Sequence, residues 1–250
     1  MIPAAVRGLL WALTITLAWW LQLFVLLGLD LSHQSWLLMA MAVAMRTLLQ
    51  TGLFIVGHDG MHRLLLPTSR RWNHRLAAAA LCLYAWLPYR RCLRHHHRHH
   101  LAPATPGDPD VHPDPAVGPL AWYGRFMAAY LGPGNLALLA AGWGLLGCLS
   151  TAFTPTAWLN VLVFCVVPLL ASSIQLFVFG TYLPHRRQRL RPTGCSAESL
   201  ELPEWLSLLA CYHFGYHREH HDNPALAWFQ LPRQRRTGRI VTGLAQRSAT

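Results

Sequence analysis

Four long stretches of the chain hold almost no polar residue, and each approaches the length of about 20 residues that an α-helix needs to cross a bilayer. They run from Leu9 to Leu29, Trp36 to Gly57, Leu136 to Phe153 and Ala157 to Tyr182. The links between them at Asp30 to Ser35 and at Thr154-Pro155-Thr156 are short, so the spans pair as two helical hairpins. A fifth apolar stretch, Leu76 to Leu87, is too short to cross and reads as a re-entrant or interfacial segment that Pro88 stops. The pattern predicts an all-α integral membrane protein: a single membrane-embedded domain over residues 1–250 with four transmembrane helices and a basic tail over residues 233–250. The first span is too long for the apolar core of a signal peptide, and no small-x-small cleavage site follows it.

Polar residues that interrupt this pattern are informative because each costs energy in lipid. Arg46 falls near the middle of the second span and must face other helices or a wet cavity, with Gln50 one turn further along the same face. Beyond the ends of the spans stand the histidines. Tyr212 to His221, read as one helix, places His217, His220 and His221 at i, i+3 and i+4 on one face, with His213 a turn earlier. His96, His99 and His100 repeat the spacing, leaving His95 and His97 as spares, and His58 and His62 stand at i and i+4. His185 lies at the matching end of the fourth span. Trp122, Tyr123, Phe126 and Tyr130 have the look of an aromatic belt at the membrane interface.

Composition supports the membrane reading: 53% of residues are hydrophobic and 12% charged. All 21 basic residues are arginine and the formal charge is +11. Arginines beside apolar spans orient a membrane protein and do not suggest a nucleic-acid site. The two short links lack arginine and the histidine-bearing stretches hold most of it, which puts both termini and every cluster in the cytoplasm as a histidine-rich cap. Six cysteines without a Cys-x-x-Cys pair suggest packing. Gly132-Pro133-Gly134 lacks the strand that a dinucleotide loop requires.

Eight imidazoles, from His58, His62, His96, His99, His100, His217, His220 and His221, exceed what one ion can use and suit two. His185 is the choice for a ninth ligand, with His213 as support or a weaker candidate. Imidazole alone leaves zinc, copper, iron and nickel open. Glu219 breaks the His-Glu-x-x-His spacing of a zinc protease, and four glutamates are too few for a carboxylate-bridged bundle site. An all-histidine di-iron centre is what remains.

The clusters resemble the three histidine boxes of the membrane fatty-acid desaturase and hydroxylase superfamily, from His58 to Pro232. Phe179 to His185, Asp108-Pro109-Asp110, Tyr212 to His217 and Trp228 to Pro232 resemble its β-carotene ketolase branch. Gly60 and Arg63 stand where alanine and glycine are usual, Val111 replaces a phenylalanine, and Arg218 stands where histidine or glutamate is common. The resemblance implies two iron ions (Fe2+), dioxygen as co-substrate, and oxygenation of C4 of a carotenoid β-ionone ring to a ketone in a bacterial inner membrane. With no haem, flavin or nicotinamide motif, electrons are expected from an external ferredoxin-type donor. Asp59, Asp108 and Asp110 are expected to orient imidazole N–H groups, although Asp108 and Asp110 equally suit a proline-rich turn. A ring hydroxylase, a lipid desaturase and, more remotely, a metal transporter are the alternatives; the sequence leaves the oligomeric state open.

Overall fold

Pro3 and Gly28 bound the first long helix, α1 (Ala4–Leu27), so the span lies a few residues earlier than the hydrophobic pattern places it. The computed structural model describes residues 3–105, 107–114, 116–187 and 197–238, and among these there is no strand. Ser35 caps α2 (Trp36–Met61) by accepting the Leu37 N–H. The helix runs a full turn past Gly57, carrying His58 within it. Then follow α3 (Arg70–Ala85), α4 (Tyr89–Leu101), α5 (Pro119–Tyr130) and α6 (Pro133–Ser150). The long helix α7 spans Ala157–His185. α8 (Glu204–Cys211), α9 (His217–Asp222) and a last helix, α10, over residues 231–238 complete the order. Helices α1, α2, α6 and α7 are each long and apolar enough to cross a membrane.

The core forms where α2 meets α3 and α7. Gly57 and Gly60 allow α3 to approach: a Cβ on Gly57 would stand 2.5 Å from a Leu81 methyl, and one on Gly60 would stand 2.3 Å from the Ala77 Cβ. Asn73 ties down the loop after α2, donating to the Gly60 carbonyl at 2.7 Å and accepting the Leu65 and Leu66 N–H groups. The short apolar stretch is thus the inner face of α3, buried at Asn73, Ala77, Ala80, Leu81 and Tyr84.

Arg46 is buried and makes no link to the histidines. Its guanidinium donates to the carbonyls of Trp19 and Phe164 at 2.9 and 3.1 Å and lies over the Trp19 ring. The Phe164 carbonyl is available because Pro168, four residues on, has no N–H to give it. Gln50 likewise joins Trp19 Nε1 to the Tyr84 carbonyl. Arg46 and Gln50 together are therefore a brace among α1, α2, α3 and α7.

Two further expectations change. The aromatic run on α5 is no exposed belt: Trp122 and Tyr130 are buried, and Trp122, Tyr123 and Phe126 pack edge-on or tilted against Phe177 of α7. The stretch from Tyr212 to His221 is not one helix. Tyr212 and His213 adopt left-handed backbone (φ 49° and 62°), ending α8 before α9 begins at His217. The Gly215 carbonyl is meanwhile taken by the Leu200 N–H at 2.8 Å, outside any helix. Of the basic tail, residues 239–250 lie outside the described residues.

Candidate metal centre

Four helices deliver nine histidines to one end of the bundle. His58 lies in the last turn of α2 and His62 caps it, and α4 supplies His96, His99 and His100. His185 ends α7, and α9 supplies His217, His220 and His221. On α4 the buried face is Cys92, His96 and His99, while Arg90, Arg94 and Arg98 stay exposed, so amphipathicity aims the imidazoles inward.

The histidines sort into two groups. His58, His62, His96, His100 and His220 form one; His99, His185, His217 and His221 form the other; within each group one ring nitrogen per residue lies within 4.8 Å of all the rest. Each triplet is divided between the groups, because neighbours at i and i+3 point to diverging sides once two helices face each other. His100 and His221 stack across the boundary with ring centroids 4.4 Å apart. His213 belongs to neither group and stacks instead on Tyr216 and Trp228. His95 faces Tyr130, and His97 is exposed.

Converging ring nitrogens fit a cation better than they fit one another. His62 Nε2 faces His96 Nε2 at 2.6 Å, and His221 Nε2 faces those of His99 and His217 at 3.0 and 3.1 Å. Neutral imidazole has one N–H, so such a set cannot be satisfied by sharing protons. Both ring nitrogens of His58 are buried without a hydrogen-bond partner, and so is His217 Nδ1. Burial, then repulsion from neighbouring rings, pushes His96, His217, His220 and His221 down from the ordinary value. The same burial lowers His62 to about 4 and His100 to about 3. At neutral pH these rings are uncharged, as a metal ligand must be.

The carboxylates differ in use. Asp108 faces His99 Nδ1 at 2.9 Å and also accepts the Ala104 and Asp110 N–H groups, so it shapes the turn and fixes the imidazole together. Burial works against a charged His99, yet the Asp108 hydrogen bond and the Asp110 and Asp108 charges hold it above the usual range. Asp110 lies 4.0 Å from the same nitrogen and accepts the Tyr130 hydroxyl at 2.5 Å. Asp59 is 3.6 Å from His58 Nδ1, beyond hydrogen-bond reach.

A cavity of about 40 Å³ reaches both groups, touching His58, His96, His99 and His217. It shares Phe54, Phe126, Tyr130 and Leu176 with an apolar cavity of about 120 Å³ that runs on to Trp143 and Leu169. A third cavity, about 380 Å³, shares Tyr84, Leu139, Trp143 and Leu169 with the second and ends among exposed Trp86 and Leu145. The arrangement joins a polar, cation-ready chamber to an apolar approach from the side of the bundle.

Sequence reading missed Tyr130 as the partner of Asp110, and Arg235; Phe214, a candidate from the sequence for lining the ring pocket, does form a wall of the chamber. Arg235 is buried over the Tyr216 ring and pairs with Glu219 at 2.9 Å, and Glu219 also accepts the Ser199 hydroxyl. Its place in an arginine-rich tail gave no signal. The Asp110-to-Tyr130 spacing carried none either, whereas Phe214 was visible as an aromatic flanking the third cluster.

The model of the fatty acid desaturase family matches residues 34–240. A β-carotene ketolase of Paracoccus sp. (strain PC1) is 39% identical over 210 residues, covering 81% of each chain. One of Paracoccus sp. (strain N81106 / MBIC 01143) is 38% identical over 194 residues, 77% of each. A β-carotene ketolase of Haematococcus lacustris is 38% identical over 207 residues, 79% of this chain and 62% of the relative.

Proposed function

The chain belongs to the fatty acid desaturase family, and from that premise we propose that it is a β-carotene ketolase whose two histidine groups each hold an iron ion. It is an integral membrane oxygenase acting on C4 of β-ionone rings, taking β-carotene to echinenone and canthaxanthin. The observation that carries this reading is the meeting of two all-imidazole groups with an apolar approach from the side of the bundle. A polyene dissolved in the bilayer needs such a route.

Bound at these histidines, iron supplies the activation of dioxygen that organic side chains lack. The protein supplies the rest. Phe54, Phe126, Leu176 and Phe214 close around the ring and exclude water from the reacting edge. Asp108 fixes the His99 tautomer by accepting its Nδ1–H, which leaves Nε2 free to ligate. Each oxygenation uses one dioxygen, two electrons and two protons, places one oxygen on C4 and releases the other as water. After the second, the geminal diol loses water to the ketone. The C4 hydrogens are allylic and therefore comparatively weakly held.

The electrons come from an external ferredoxin-type protein drawn to the arginines of α3 and α4. By the positive-inside rule those arginines support a metal centre and both termini on the cytoplasmic side, in a reading with spans α1–α2 and α6–α7 as two hairpins of one domain over residues 1–250 in a bacterial inner membrane. Expression in β-carotene-producing cells tests the function. Echinenone and canthaxanthin are the expected pigments. Zeaxanthin alone would make the chain a ring hydroxylase, altered acyl chains a desaturase, and metal flux without oxygen consumption a transporter.

A further inference from the structure

The reaction oxidises one carbon twice, so the half-oxidised ring must present the same C4 again. Once C4 carries a hydroxyl, that oxygen competes with the remaining C4–H for the place nearest the metal centre. A group that holds the hydroxyl aside would decide whether the product is a ketone or an alcohol. Among the polar side chains of the proximal cavity other than histidine, Asp110 and Tyr130 already bond each other at 2.5 Å. Apart from the Cys92 thiol, a weak donor, Thr181 is the other one; it is 6% exposed, and its hydroxyl makes no hydrogen bond among the described residues.

That state is unusual for a helical threonine that is not exposed, and it has a local cause. Thr16 and Thr47 both return their hydroxyls to the carbonyl four residues back, at 2.8 Å. Thr181 lies instead in a π turn, Phe177–Tyr182, where the Leu183 N–H bonds the Val178 carbonyl five residues back. Pro184 follows immediately, and having no N–H it cannot close the ordinary α bond to the Gly180 carbonyl. The widened turn departs from the geometry in which a threonine bonds its own helix. Gly180 beside it lets Phe214 close the chamber, since a Cβ there would stand 2.9 Å from the Phe214 ring. An apolar cavity of about 150 Å³ accommodates benzene. The proximal space of about 40 Å³ therefore admits only an edge of the ring, with its body in the adjoining cavity of about 120 Å³.

We propose that Thr181 hydrogen-bonds the C4 hydroxyl of the half-oxidised ring and so commits the enzyme to the second oxygenation. The inference rests on the ketolase reading above. The first oxygenation converts C4–H to C4–OH. In the second, Thr181 holds that hydroxyl while the remaining C4–H is oxygenated, and the geminal diol expels water. Dioxygen and the external donor serve both steps, so no further oxidant is needed.

The test compares wild type, T181V and T181S in β-carotene-producing cells, and again in membranes supplied with the isolated 4-hydroxy carotenoid. Iron content is measured alongside. T181V is nearly isosteric and keeps the chamber filled, so the expected result is retained iron, retained first oxygenation, and a 4-hydroxy to 4-keto ratio raised about fivefold, the factor carried by about one hydrogen bond. T181S should restore the ketone. Conversion of supplied 4-hydroxy carotenoid should fall by the same factor in T181V. An unchanged ratio in T181V, or a proportional loss of both oxygenations, overturns the role of Thr181 and leaves the ketolase reading standing. Wild type that leaves β-carotene untouched overturns the ketolase reading itself.

Discussion

Arg63 carries the least comfortable backbone at the first histidine pair. It takes φ 62°, with its N–H on the Gly60 carbonyl at 3.2 Å and the Leu64 N–H on the Asp59 carbonyl at 3.0 Å. This is the left-handed termination that glycine makes without a Cβ penalty. Arg63→Gly should raise stability by about 1 kcal/mol, read as a higher midpoint of thermal unfolding in detergent. Gly60→Ala has the opposite sign. Its Cβ would meet that of Ala77 at 2.3 Å, costing about 1–3 kcal/mol, and Ala77→Gly in the same chain should recover much of the loss. Asp108→Asn keeps the turn but weakens the hold on His99, so iron affinity should fall by about 10–100-fold in a chelator titration. Unchanged affinity would reduce Asp108 to a turn residue.

Among elements, α9 is the shortest that bears ligand candidates and depends most on its neighbours. Its six residues hold few internal hydrogen bonds, and Glu219 on its outer side is gripped by Ser199 and Arg235. Arg235→Gln should cost about 2 kcal/mol, below the full value of a buried pair because Glu201, its other partner, is largely exposed. Iron occupancy should fall with it. The double variant Arg235→Gln with Glu219→Gln should be less damaged than the sum of the single ones, which a double-mutant cycle on unfolding midpoints measures. In α7 two prolines, Pro168 and Pro184, each stand two residues after a π turn, and each does something different: one frees a carbonyl for Arg46, the other places Thr181 and His185 at the chamber.

At the scale of the molecule, the centre joins α2, α4, α7 and α9, so metal should stabilise the whole bundle. On the di-iron reading proposed above, removing iron from purified protein is expected to lower the unfolding midpoint, and readdition to restore it, with about two ions bound per chain at saturation. Near-identical melting with and without iron would count against a shared centre. The hydrophobic pattern fixes the four long helices because the length of an apolar run is a local property, and the i, i+3, i+4 spacing makes each histidine face legible for the same reason. It does not fix which histidine joins which group. His99 parts from His96 and His100, and His220 from His217 and His221, only because α4 and α9 face each other across the chamber. Nor could the break at Tyr212 and His213, the burial of Arg235, or the bond from Tyr130 to Asp110 be read along the chain. Local periodicity determined the helices and their histidine faces; contacts far apart in sequence, set by approaches as close as Gly60 on Ala77, decided how those faces were divided into a site.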